Sequence, residues 1–159
     1  MDFDVGDLVV YGSHGAGRIE DRTAKTLVVS LGDGLTVTLP QELASASLRP
    51  LVTELGMARV RTTLRADGHT DGDAWLKRSK ATREKVNVGD TIGLAEVVRD
   101  SAHRDGISSP AGGPRLSAGE RELYLKARRL LALEISLARG VAPSEADDWI
   151  ARQLSFAHP

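Results

Sequence analysis

Short apolar runs alternate with turn residues along the first fifty positions of the chain. The runs are rich in β-branched residues, which favours strands of four to six residues over helices. Gly32-Asp33-Gly34 lies between two of the runs, and a short Gly/Asp connection of this kind is typical of a β-hairpin. The pattern predicts a small β-barrel with strands at residues 8–11, 17–19, 26–31 and 35–39 and a last short strand within 44–50.

The fourth run shows which of its positions face inward. Leu35, Val37 and Leu39 alternate with Thr36 and Thr38, and successive side chains of a strand point to opposite faces. We therefore expect the leucines and the valine to face the core and the threonines to face solvent or a partner. Pro40 is expected to end this strand.

From residue 52 onward the pattern changes to helical spacing. A helix weakened by Gly56 is predicted over 52–64, and Asp73 and Asp90 are predicted caps for helices over 75–86 and 91–104. Ser117 and Glu120 have the spacing of a capping box, and Gly140 marks the end of the helix that follows. A last helix is predicted over 143–154, with a linker over 66–72 and a loop over 108–114.

These elements predict an α+β protein of two halves. We expect a β-domain over residues 1–52, a connecting helix and linker over 53–72, and an all-α domain over 73–159. Trp149 lies between acidic residues and an isoleucine, and we interpret it as part of the helical core.

Composition narrows the classes of function. The chain has 159 residues, a net charge of −1 and no cysteine, so thiol chemistry and disulfides are excluded. No apolar run approaches the ~18 residues of a membrane helix, and the first residues, MDFD, do not resemble a basic, apolar signal segment. These features predict a cytoplasmic protein. The histidines show no metal-ligand spacing, so neither an enzyme nor a bound cofactor or metal is expected (His14, His69, His103 and His158).

Charge is distributed unevenly along the chain. Residues 1–60 hold five basic and eight acidic side chains, whereas residues 75–85 hold five basic and one acidic. In this second segment Trp75 precedes the cations, and a flat aromatic ring beside basic residues can stack on a base or wedge between base steps. The alternative is a solvated basic helix with Trp75 packed in the core, and the pattern alone leaves both open.

Several motifs resemble one known family along nearly the whole chain. Residues 5–11 (VGDLVVY), His14-Gly15, Gly17 and Ile19-Glu20 are similar to the start of the CarD/CdnL family of bacterial transcription regulators and to the related module of transcription-repair coupling factors. The similarity continues through Trp75 and its basic neighbours, Gly89-Asp90, 95–100 (AEVVRD), 116–120 (LSAGE) and 126–128 (KAR).

The resemblance implies a Tudor-like, SH3-like N-terminal barrel that binds the RNA polymerase β subunit. It also implies a helical domain that contacts promoter DNA without reading sequence and stabilises the open complex, in a monomer located at the nucleoid. The expected polymerase-binding residues are Arg22, Lys25, Thr36, Thr38 and Pro40. Trp75 matches the family's wedge tryptophan, and the expected DNA-binding set is Trp75, Lys77, Arg78, Lys80, Arg83, Lys85 and Lys126.

The chain departs from the family pattern near the expected polymerase surface. Gly12 stands where proline is common in the family, and the 22–27 connection is shorter than usual. Thr38 stands where relatives often carry an arginine. Elsewhere in the chain, the 101–114 loop is longer than usual. Losing an interfacial arginine costs about 1 to 3 kcal/mol of binding if nothing replaces it. Two alternatives therefore remain: an interaction adaptor with no DNA wedge, and a DNA-contacting protein with a partner other than polymerase.

Overall fold

A five-stranded antiparallel sheet forms the N-terminal half. The computed structural model describes residues 3–32, 34–68, 75–106 and 116–156. The strand order is β4-β3-β2-β1-β5. The strands are β1 Leu8–Val10, β2 Ala16–Arg22, β3 Thr26–Leu31, β4 Thr36–Pro40 and β5 Arg49–Pro50.

The sheet confirms the first four predicted strands and the hairpin between β3 and β4, but it is not a closed barrel. β4 and β5 stand at opposite edges of the sheet. Pro40 belongs to β4 and pairs with Thr26, which is compatible with its lack of an N–H because β4 is an edge strand. Leu35 precedes β4 and is 47% exposed, so the expectation that it faces the core is wrong.

Residues 41–47 are helical, which corrects the prediction of a strand over 44–50. Helix α1 spans Gln41–Ser47, and only Arg49–Pro50 forms a strand. The reason is a four-residue spacing: Ala44 and Leu48 are both buried in the core of the sheet, and one helical turn brings them to the same side. The short length of α1 hid this signal among small polar residues.

Five further helices form the rest of the chain that the structure describes. They are α2 Glu54–Arg65, α3 Trp75–Val88, α4 Thr91–Gly106, α5 Ala118–Arg139 and α6 Pro143–Ser155. Each lies within a few residues of a predicted helix, which confirms the α+β prediction. Because α4 extends to Gly106, the first part of the predicted 101–114 loop is helical.

The predicted caps are present where the structure describes them. The Asp90 carboxylate accepts a hydrogen bond from the Gly93 N–H at 3.2 Å. Ser117 and Glu120 form both bonds of the capping box, and Gly140 ends α5 with a φ of 66°. Asp73, the 108–114 loop and most of the predicted linker lie outside the described residues.

Two apolar clusters stabilise the fold. One is formed by the strands and α1 and includes Val9, Ile19 and Val29. The other is formed by α2 to α6, with Leu131 and Ile150 among its fully buried side chains. The half-buried Trp149 packs against this second cluster, as predicted. Helix α2, predicted only as a connector, contributes Met57, Val60 and Leu64 to it.

Candidate functional site

The edge strand β4 presents a row of exposed residues on one side of the sheet. Its pairing with β3 places Thr36 opposite Ser30, Thr38 opposite Val28 and Pro40 opposite Thr26. Directly opposite residues point to the same face, whereas Leu39 and Leu27 pair on the buried face. The structure therefore brings Thr36, Thr38 and Pro40 together on what we call the outer face of the sheet.

Arg18 lies on this outer face and was missed by the sequence analysis. It pairs with Ser30, which in turn pairs with Thr36, so the three residues form one row across three strands. Arg18 is exposed, and its guanidinium lies 3.4 Å from the Gly6 carbonyl oxygen. Only the strand register, which one sequence does not reveal, could have placed this cation beside the threonines.

Arg22 lies on the opposite side of the sheet from the outer face. It pairs with the buried Leu27, and the register of β2 and β3 shifts between Ile19 and Asp21. Its guanidinium donates to the Asp4 carboxylate at 2.6 Å and to the Phe3 carbonyl oxygen at 3.1 Å. The structure thus separates Arg22 from Thr36 and Thr38, with which it had been grouped.

Lys25 lies in the turn between β2 and β3, at the end of the sheet that also holds Pro40. Its carbonyl oxygen accepts a hydrogen bond from the Gln41 N–H at 2.8 Å, which fixes this turn beside the end of β4. The Lys25 side chain is exposed. The predicted polymerase-binding residues therefore divide into a group formed by Lys25, Thr36, Thr38 and Pro40, and the isolated Arg22.

Helix α3 carries the basic residues of the second predicted surface. Lys77, Lys80 and Arg83 are exposed, and their spacing of three residues places them along one side of the helix. Val86, in the same helix, is fully buried in the helical cluster. The side chains of Trp75 and Arg78 lie outside those that the structure describes.

Lys85 points toward α4, away from the row formed by Lys77, Lys80 and Arg83. Its ammonium lies 3.7 Å from the Glu96 carboxylate. A groove of about 330 Å³ on the same flank of α3 is lined by residues that include Glu84, Lys85 and Asp90. The Glu96 carboxylate offsets the charge of Lys85, so Lys85 attracts phosphate less than an exposed, unpaired cation would.

On helix α5 the cations are less available than the sequence indicated. Lys126 is half-buried. Arg128 donates to Asp147 at 2.6 Å and to the Tyr124 hydroxyl at 2.8 Å. The hydrogen bond to Asp147 raises the pKa of Arg128 above its usual range, so this guanidinium is a structural cation that joins α5 to α6.

The described residues contain neither a metal site nor a membrane-spanning helix. No group of three or more His, Asp or Glu side chains in these ranges is placed to hold a metal ion. No helix in the same ranges is long and apolar enough to span a membrane.

The protein has two parts with one exposed surface each. The antiparallel sheet presents its outer face, and the helical cluster presents the basic helix α3. Comparison with family models gives the same division. The model of the CarD-like/TRCF RID domain matches residues 3–52, and the model of the CarD C-terminal domain matches residues 59–151. The chain therefore belongs to the CarD family, which confirms the resemblance seen in its motifs.

One relative matches across both halves. Over 156 residues the chain is 25% identical to a protein of Bacillus subtilis (strain 168) named "Putative transcription factor YdeB". The match covers 90% of this chain and 96% of the Bacillus chain. The two proteins are thus similar over both the sheet and the helices.

Proposed function

We propose that this protein is a transcription regulator that binds the RNA polymerase β subunit through the outer face of its sheet. At the same time it contacts promoter DNA through helix α3 and stabilises the open complex at the nucleoid. The observation that carries the proposal is that both family models match, one on each half, and each half presents an exposed surface. Catalysis has no part in it.

The outer face has the properties of a protein-binding surface. Thr36, Thr38 and Pro40 lie on an exposed edge strand, where backbone groups and side chains are both accessible to a partner. Val28 is the half-buried apolar residue beside Thr38. Arg18 supplies a cation in the same face and can replace part of the charge that Thr38 lacks relative to family members with arginine.

The row formed by Lys77, Lys80 and Arg83 has the properties of a phosphate-contacting surface. Three exposed cations on one side of a helix can contact several phosphates of a duplex at once. Glu84 follows Lys80 by four residues and lies on the same side as the row, where it offsets part of the positive charge. The carboxylates of Asp90 and Glu96 lie on the α4 flank, so we assign DNA to the side of Lys80 and Arg83. Such contacts give affinity and orientation without sequence specificity.

Trp75 completes the proposed mechanism at the beginning of α3. A tryptophan inserted between base steps stacks on an unpaired base and hinders closure of the bubble, at the cost of local unstacking. The neighbouring cations hold the helix against the backbone while this happens. Lys85, which faces α4, and the half-buried Lys126 are assigned a secondary role. Arg78 remains a proposed DNA contact on the family resemblance alone.

The test is the lifetime of the open promoter complex with the cognate polymerase. We expect wild type to prolong this lifetime. Trp75→Ala and the triple variant Lys77→Ala/Lys80→Ala/Arg83→Ala should lose most of that effect while still binding polymerase. Binding is checked by capture of purified polymerase on immobilised variant protein.

A matched control removes the same number of exposed cations elsewhere in the helical half. Arg59→Ala/Arg61→Ala/Arg152→Ala changes the net charge equally, on helices α2 and α6. It should leave the lifetime near the wild-type value. Equal losses in the two triple variants would contradict a specific role of α3 and would indicate only long-range attraction.

A second candidate function is a protein-interaction adaptor with no DNA wedge, or with a partner other than polymerase. It is favoured by the ion pair that engages Arg22 and by the absence of charge at Thr36 and Thr38, which together weaken the expected polymerase surface. It predicts that polymerase is not captured and that Trp75→Ala has no effect. Capture of purified polymerase therefore separates the two candidates.

A further inference from the structure

A buried carboxylate joins the sheet to the helices. Glu134, on α5, is 1% exposed. Its two oxygens accept from the Arg49 guanidinium at 2.7 and 2.8 Å, from the Val52 N–H at 2.8 Å, and from the Thr91 hydroxyl at 3.1 and 3.2 Å. We call Arg49, Val52, Gly89, Thr91 and Glu134 the Glu134 cluster.

The members of this cluster come from distant parts of the chain. Arg49 lies in β5, Val52 precedes α2, Thr91 begins α4, and Glu134 lies in the last third of α5. Arg49 also donates to the carbonyl oxygen of Gly89 at 2.7 Å, which ties the α3–α4 corner to the same guanidinium. One ion pair therefore connects the edge of the sheet to three helical elements.

The α3–α4 corner also lies directly against the β1–β2 connection. Gly89 has a φ of +73°, and a Cβ atom at this position would lie 2.6 Å from the carbonyl oxygen of Gly12. Such a distance is far below van der Waals contact, so this approach of two backbones requires glycine. It places the end of α3 against the sheet half at a second point, close to the Glu134 cluster.

The chemistry of the cluster favours one relative orientation. A charged carboxylate is tolerated in the interior only when its oxygens are fully hydrogen-bonded. The donors to Glu134 come from both halves, so rotation of one half would leave this charge buried and unpaired. The planar fork of arginine bonds both carboxylate oxygens and the Gly89 carbonyl at once, a geometry that lysine does not reproduce.

We propose that the Glu134 cluster fixes the orientation of the sheet relative to α3, so that the outer face and the basic row engage polymerase and DNA simultaneously. Arg49 and Glu134 are thus positioning residues, and this role rests on the function proposed above. Two linked contacts strengthen each other only when the geometry allows both to form. The overall affinity then exceeds that of either contact by about 10²-fold or more. A loosened orientation loses that gain without altering either surface.

The orientation is measured with a pair of spin labels. The sequence contains no cysteine, so Ser45→Cys in α1 and Ala151→Cys in α6, both at exposed positions, carry the labels without competing thiols. Pulsed dipolar spectroscopy then gives the distribution of distances between the sheet half and the helical half. We expect a single narrow distribution in wild type and a broadened one in Glu134→Gln and Arg49→Lys.

Gly89→Ala tests the same orientation by a second route, because it displaces the backbone of the α3–α4 corner without removing either charge of the ion pair. Its Cβ pushes the α3–α4 corner away from Gly12, so a shifted distribution is expected. The matched control is Glu120→Gln. Glu120 is also buried and paired with an arginine, Arg104, but both residues lie in the helical half. This control should lower the melting temperature and leave the distance distribution unchanged.

The functional measurement is the open-complex lifetime at saturating polymerase occupancy. We expect the prolongation of the lifetime to be about tenfold smaller in Glu134→Gln than in wild type, which is part of the gain from linked contacts. Polymerase capture should stay at the wild-type value. The weak DNA binding of the isolated protein should also stay at the wild-type value. An unchanged distance distribution would overturn the proposal, as would a broadened distribution with an unchanged lifetime. If wild type does not prolong the lifetime, the proposed function fails, and the distance distributions alone decide whether the cluster fixes the orientation.

Discussion

The outer face of the sheet and the basic row of α3 are built in opposite ways. The outer face has few charges, and its residues become neighbours only through the pairing of β2, β3 and β4. The basic row belongs to one continuous helix and places three cations at a spacing that the sequence alone specifies. A surface that strand register assembles from few charges suits a partner of complementary shape. A row of cations suits phosphate groups in any nucleic-acid sequence.

The difference between the two surfaces has a consequence for binding under different conditions. Contacts between cations and phosphates release counterions, so they weaken steeply as salt concentration rises. Contacts of threonine, proline and valine depend on shape and backbone hydrogen bonds, which salt affects little. We therefore expect salt to separate the two proposed binding events.

The largest effect is expected from removing the basic row. For the isolated protein on a labelled duplex, we expect a log–log salt slope of about −4 in wild type. In Lys77→Ala/Lys80→Ala/Arg83→Ala it should become shallower by about 3, and affinity at 0.1 M salt should fall by about two to three orders of magnitude. Fluorescence anisotropy at several salt concentrations measures both quantities. A slope that stays near the wild-type value would show that other cations contact the DNA.

A smaller effect, of opposite sign, is expected from adding charge to the outer face. Thr38→Arg should strengthen polymerase binding about tenfold, since an interfacial arginine contributes about 1 to 3 kcal/mol. Thr62→Arg adds the same charge to an exposed position of α2 and should change affinity little. Surface plasmon resonance with immobilised polymerase gives both affinities. Equal gains in the two variants would contradict a polymerase site on β4.

Arg18 and Arg22 test which face of the sheet binds. Arg18→Ala should weaken polymerase binding about fivefold, or about 1 kcal/mol, because it removes the cation in the row with Ser30 and Thr36. Arg22→Ala should have a smaller effect, since Arg22 lies on the other face and already pairs with Asp4. The same resonance measurement applies. A larger loss in Arg22→Ala would place the partner on the opposite side of the sheet.

Local signals made the helical half predictable. Ser117 and Glu120 satisfy backbone N–H groups within one turn, and Gly140 adopts the left-handed conformation that ends α5. Each of these features depends on residues only a few positions apart. The strands of the sheet were predictable for the same reason, because each apolar run is bounded by its own turn residues.

Features that depend on distant residues were not predictable. The register shift between Ile19 and Asp21 reverses the two-residue alternation of β2, which moves Arg22 to the other face of the sheet. The ion pair of Arg49 and Glu134 joins positions 85 residues apart, and nothing in either local sequence marks it. One sequence specifies spacing along the chain and leaves such partners open.

The smallest effect is expected from removing the N-cap of α5. This variant lowers the stability of the fold and leaves both proposed binding surfaces unchanged. Ser117→Ala removes the side-chain oxygen that accepts from the Glu120 N–H at 3.2 Å, so the free energy of unfolding should fall by about 1 kcal/mol. Ser155→Ala removes a hydroxyl from an exposed turn of α6 and should cost less than about 0.5 kcal/mol. Urea denaturation followed by circular dichroism measures both. Neither variant should alter the salt slope or polymerase affinity under native conditions, and a changed slope in Ser117→Ala would mean that the basic row depends on the stability of α5.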